Sequence, residues 1–114
     1  MLIIGQYLSS NNFTTLETIA LILRQARATK KLLLREVGAA VAVDPSMVSK
    51  YEKGERLPTR TQIHRFARFY SLDESELMIS YLSDKLLHEI GQFDQAEQVL
   101  QATWQKLKDS NRTK

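Results

Sequence analysis

The chain has 114 residues, 16 Lys plus Arg against 13 Asp plus Glu, 43% hydrophobic residues and no Cys. That length suits one domain with a real core and is short for two full ones, while the missing thiols exclude disulfide scaffolds, thiolate zinc sites, Fe–S clusters and Cys nucleophiles. The opening MLIIGQYLSS has no basic n-region, and no stretch reaches the ~20 apolar residues of a membrane span, so the expectation is a soluble, cytoplasmic protein without a secretory leader.

Residues 1–13 carry no charge and include a Ser-Ser-Asn-Asn stretch, which reads as a flexible N-terminal arm. Thr14-x-x-Glu17 has the form of a capping box, and Leu16, Ile19, Ala20, Leu23 and Ala26 behind it recur at helical spacing. Leu32 to Glu52 divides into two short helices, 34–41 and 45–53, with the joint at Ala42-Val43-Asp44. Asp44 supplies an N-cap and Pro45 a first helical position where its missing N–H costs nothing. Gly38 within the first of these helices would cost about 1 kcal/mol relative to Ala if exposed, so close packing of another backbone is expected there. Gly54 ends the second helix in the left-handed region. Two short helices around a tight joint describe helix-turn-helix geometry, with Val37, Val41, Val48 and Tyr51 on its inner side.

Thr59-x-x-Gln62 opens a fourth helix with Ile63, Phe66, Ala67 and Tyr70 on its buried stripe. Asp73-x-x-Glu76 opens a fifth that runs to about Gly91 through Leu77, Met78, Tyr81, Leu82, Leu86, Leu87 and Ile90. A sixth, from Asp94-x-x-Glu97 to Leu107, carries Phe93, Ala96, Leu100, Thr103 and Leu107 at spacings of three and four, flanked by Val99 and Trp104. That face suits either a seam for another helix or packing on the same domain. The reading is therefore all-α: an arm over 1–13, a main five-helix domain over 14–90, and a C-terminal helix and tail over 91–114.

Charge is unevenly placed along this order. Arg24 to Arg68 holds eleven basic and four acidic residues, whereas Phe69 to Gln105 holds seven acidic residues and the single base Lys85. A basic first half beside an acidic second half suggests a polyanion partner for the first half alone.

The run LLLREVGAAVAVDPSMVSKYEKGERLPT, followed by a helix and SLDESEL, resembles the Xre/Cro-type helix-turn-helix family, that of phage lambda repressor and Cro. It is similar in particular to small bacterial regulators with an LLREV…D…VSK.E.GER.PTR pattern, some of them encoded beside restriction-modification systems. The likeness runs from Leu23 to about Leu87. It implies a lambda repressor-like fold in which the motif's second helix enters the DNA major groove. By the same resemblance Pro45, Ser46, Ser49 and Lys50 face bases, with Met47 at the margin. Lys50 is the main base reader, able to donate to guanine O6 or N7. Arg35, Lys53, Arg56 and Arg60 are placed against phosphates, where they add affinity that falls with salt. The family's usual Gln at the start of the motif's first helix is Leu34 here, and Ala42 stands where the turn more often has Gly.

Arg27 shares a helical face with Leu16, Ala20 and Leu23, and Glu52 follows Val48 by four residues, so both point inward. The resemblance pairs them across helices. Leu82, Leu86, Phe93, Leu100 and Trp104 are assigned to a homodimer interface. The functional reading is a sequence-specific transcriptional regulator of double-stranded DNA, a repressor or autoregulator, with no cofactor, metal, membrane or small-molecule effector. The alternative is a protein-interaction module or antitoxin that uses the motif as scaffold. An enzyme is not expected: His64 and His88 lack a nucleophile-and-base setting, Asp84 and His88 share a helix face as a surface hydrogen bond, and Asp73, Glu74 and Glu76 suit a helix start.

Overall fold

The computed structural model describes residues 13–112, which contain six helices and no strand. The helices are α1 (Ile19–Thr29), α2 (Leu34–Val41), α3 (Pro45–Glu52), α4 (Arg60–Tyr70), α5 (Glu74–Ile90) and α6 (Ala96–Arg112). The chain forms two compact units, residues 1–84 and 85–114. The division comes before the expected boundary after residue 90, because the buried side chains of α5 end at Tyr81 while residues 85–89 are exposed.

Helix α1 begins a turn later than the Thr14 box suggests. The Glu half of the box forms locally: the Glu17 carboxylate accepts from Thr14 N–H at 3.1 Å, while Thr14 Oγ1 accepts from Leu16 N–H at 3.1 Å and Glu17 N–H donates to Thr14 O at 2.9 Å. The helix itself starts where the Thr18 N-cap and a carboxylate distant in sequence satisfy its free donors. Asp84 Oδ2 accepts from Ile19 N–H at 2.7 Å, Thr18 Oγ1 accepts from Leu21 N–H at 3.2 Å, and Ser80 Oγ donates to Glu17 O at 2.6 Å. Burial pushes the Asp84 carboxyl above its ordinary range, against the opposing pull of the Ile19 N–H.

This later start moves the buried stripe to Ile19, Ile22 and Leu23 and leaves Leu16 68% exposed, where the spacing had set it on the stripe. Phe13, expected in the arm, is a core residue only 5% exposed. Its large apolar ring finds partners that lie far along the chain. The rest of the expected arm, residues 1–12, lies outside the described residues.

Helices α2 and α3 fall within the expected bounds. Helix α3 packs on α1 and α2, and α4 packs on the same two. Val37, Val41 and Val48 are fully buried, and Ile63, Phe66, Ala67 and Tyr70 supply the α4 stripe. The α2–α3 joint is tight because Val43 N–H donates to Gly38 O at 2.9 Å, and a Cβ on Gly38 would stand 2.5 Å from Val43 O. Only glycine fits there. Gly54, at φ 75°, follows the α3 C-cap Lys53.

At the α2 C-cap, Ala42 is left-handed, with φ 59° and ψ 48°. A side chain in that region costs about 1–2 kcal/mol, partly offset by the smaller unfolded-state entropy of Ala relative to Gly. Ala42→Gly is therefore expected to stabilise the domain by about 0.5–1 kcal/mol, a rise of roughly 2–6 °C in a calorimetric Tm.

Asp73 caps α5 by accepting from Glu76 N–H at 2.9 Å. In the second unit, turns closed by Phe93 N–H to Ile90 O and Ala96 N–H to Phe93 O occupy residues 91–95, so α6 starts at Ala96, not at the Asp94 box.

Candidate nucleic-acid interface

Helix α3 divides cleanly by side. Its inner residues are Val48, Tyr51 and Glu52, all buried. On the other side Pro45, Ser46 and Lys50 are exposed, Ser49 is half-buried, and Met47 is half-buried where it packs on the core. Asp44 caps the helix, its Oδ1 accepting from Ser46 N–H at 2.8 Å and from the Ser46 hydroxyl at 2.6 Å. Those bonds, the hydroxyl's first, hold the Asp44 carboxyl below its ordinary range. Ser46 thereby spends its one proton on the cap and turns lone pairs outward.

Two polar clamps fix the inner side. Arg27 of α1 grips Glu52 with a forked bridge: Nε donates to Oε2 at 2.8 Å and to Oε1 at 3.1 Å, and Nη2 donates to Oε1 at 2.9 Å. Arg27 Nη1 also donates to Leu32 O at 3.0 Å, tying the α1–α2 loop into the same group. The Glu52 hydrogen bond raises the Arg27 pKa. In the second clamp Tyr51 Oη donates to Gln62 Oε1 at 2.7 Å, and that same oxygen accepts from Thr59 N–H at 2.9 Å to complete the α4 capping box. The Tyr51 ring meets Phe66 edge-on at 6.3 Å, and Phe66 stacks on Tyr70. The Tyr70 hydroxyl is buried without a hydrogen-bond partner among the described residues, and its pKa is raised first by burial and then by the Glu52 charge.

Arg35, Lys53, Arg56 and Arg60 are exposed, as is Lys50. The ion pairs Arg27–Glu52 and His64–Glu74 involve none of these five cations, and none of the five has an acidic partner among the described residues. Leu34 is packed against the core, which leaves its neighbour Arg35 as the polar group at the start of α2. The family model of the helix-turn-helix domain matches residues 19–78, more than half of the chain. The chain belongs to the helix-turn-helix domain family. No curated protein and no solved structure matches it.

The helix-turn-helix domain family is a DNA-binding one, and its matched region contains both clamps, the α2–α3 joint and all five free cations. Its setting here is the all-α, lambda repressor-like fold with an additional C-terminal helix. Among the described residues no helix is long and apolar enough to cross a membrane. Sequence reasoning missed two positioning groups in the helix-turn-helix domain. Gln62 was visible as a capping residue, but its bond to Tyr51 depends on how α3 meets α4. Asp84 was read as a surface partner of His88, whereas it caps α1. Leu82, Leu86, Phe93, Leu100 and Trp104 are all more than 40% exposed.

Proposed function

We propose that the chain is a sequence-specific transcriptional regulator of Xre/Cro type, acting in the cytoplasm by occupying a promoter, including its own, without a cofactor. Helix α3 enters the major groove, where Lys50 donates to guanine and Ser46 and Ser49 meet neighbouring base edges or phosphate. Arg35, Lys53, Arg56 and Arg60 engage phosphates and set the register of the helix. The observation that carries this reading is the two-sided build of α3, whose inner side is clamped by Glu52 and Tyr51 while its outer side offers an unpaired Lys50 among four further unpaired cations. Two protomers read half-sites about 10 bp apart. The exposed apolar residues on α5 and α6 support a homodimer.

Selection from a random duplex pool, followed by titration across salt, tests the proposal. Lys50→Ala is expected to lose about 1–3 kcal/mol of discrimination at one base position. Arg56→Ala and Arg60→Ala should weaken all sequences alike, each lowering the salt slope by about 1. If no duplex is retained at low salt, or if the three variants bind as well as wild type, the regulator reading fails.

A further inference from the structure

We infer that α6 is an assembly helix that pairs antiparallel with α6 of a second copy. The inference rests on the homodimer reading above and specifies its geometry. Along α6, Ala96, Leu100, Thr103 and Leu107 follow at spacings of four, three and four, with Val99 and Trp104 on the flanks. Val99, Leu100, Trp104 and Leu107 are 39%, 43%, 61% and 51% exposed. Seventeen residues make a helix roughly 25 Å long that is marginal in water by itself. An apolar face exposed from Val99 to Leu107 calls for a partner helix.

Size and charge both select a second copy laid antiparallel. If Leu100 faces the partner's Thr103, the same register sets Leu107 against the partner's Ala96, so each layer joins one large side chain to one small one. A parallel pair would oppose identical residues, Ala to Ala and Thr to Thr, and leave thin layers between bulky ones. The antiparallel register also brings Glu97, in the first turn, to the axial level of the partner's Lys106 across the seam, with the partner's Trp104 on Glu97's own flank and the partner's Lys106 on that of Val99. The C-terminal turns hold Lys106, Lys108 and Asp109, and Asp109 is taken up by Gln105 Nε2 at 3.1 Å. The acidic start of one helix thus lies beside the basic end of the other, with the two macrodipoles opposed. A parallel pair would gather both acidic starts at one end and both basic ends at the other.

The chain has no Cys, so introduced thiols report without background. Ala96→Cys and Leu107→Cys are placed in separate preparations of the full chain, oxidised alone or as a mixture, and the oligomeric state of the unoxidised chain is measured by sedimentation. The expected result is a dimer in which the covalent product forms in the mixture and not in either preparation alone. Same-site disulfides in a dimer would mean parallel helices, and a dimer without any cross-link would place the interface elsewhere. Either result overturns the pairing while leaving the homodimer in place. A monomer would overturn both, whereas retention of a selected duplex judges the DNA reading separately.

Discussion

Replacing Gly38 by Ala is expected to destabilise the first unit by about 2 kcal/mol or more, although Ala is the better helix former by about 1 kcal/mol. The added methyl would lie 2.5 Å from Val43 O and 3.2 Å from Pro45 Cγ. Neither neighbour can easily withdraw. Val43 is bonded to Gly38 through its own N–H, and Pro45 is the first residue of α3, held one step from the Asp44 cap. The chain must therefore open the α2–α3 joint, which tilts α3 as well as lowering stability. Thermal unfolding should show Tm reduced by about 8 °C or more. Binding of a selected duplex well below that Tm should also weaken, because the tilt persists in the folded protein. A wild-type Tm in Gly38→Ala would mean that the joint has slack.

Loss of the Glu52 carboxylate should be costlier still. Glu52 is 6% exposed and receives three hydrogen-bond contacts from Arg27, whose side chain is 26% exposed. Breaking one side of a buried pair costs about 3–5 kcal/mol, and the partial exposure of Arg27 places Glu52→Ala near 3 kcal/mol. That corresponds to at least about 12 °C in Tm. The double variant Arg27→Met with Glu52→Met should lose less than Glu52→Ala alone, because it removes the stranded cation along with its partner. If Glu52→Ala costs less than about 1 kcal/mol, water reaching Arg27 replaces the carboxylate and the bridge is not what holds α3 on α1.

Features set by nearby residues were readable in advance. The Asp44-Pro45 start, the Gly54 stop, the Thr59 and Gln62 box and the narrow joint at Gly38 each depend on a few adjacent side chains. The inward placement of Arg27 and Glu52 was legible because each lies on a helical face whose other members are apolar, while their pairing followed from the family resemblance. Where the reading went astray, a distant element had intervened. Thr14 and Glu17 do make their local turn, yet Ser80 and Asp84, more than sixty residues on, decide that α1 begins at Ile19. The burial of Phe13 depends on aromatic and aliphatic neighbours from other helices and leaves no trace in local periodicity. At α6 the Asp94 box was outweighed by the succession of turns after Ile90.

One atom joins two functions at the candidate interface. Gln62 Oε1 closes the cap of α4 and holds the Tyr51 hydroxyl of α3, so the segment from Lys53 to Thr59 is anchored at both ends by a single amide. Arg56 sits within that segment and Arg60 just beyond it. In the proposed duplex complex little backbone freedom is left to freeze between α3 and these cations, so the ordering cost is met during folding instead of at encounter. With α3 reading bases and these cations holding phosphates as proposed above, the two would move as one body, so a sequence that misaligns one of them would forfeit the other.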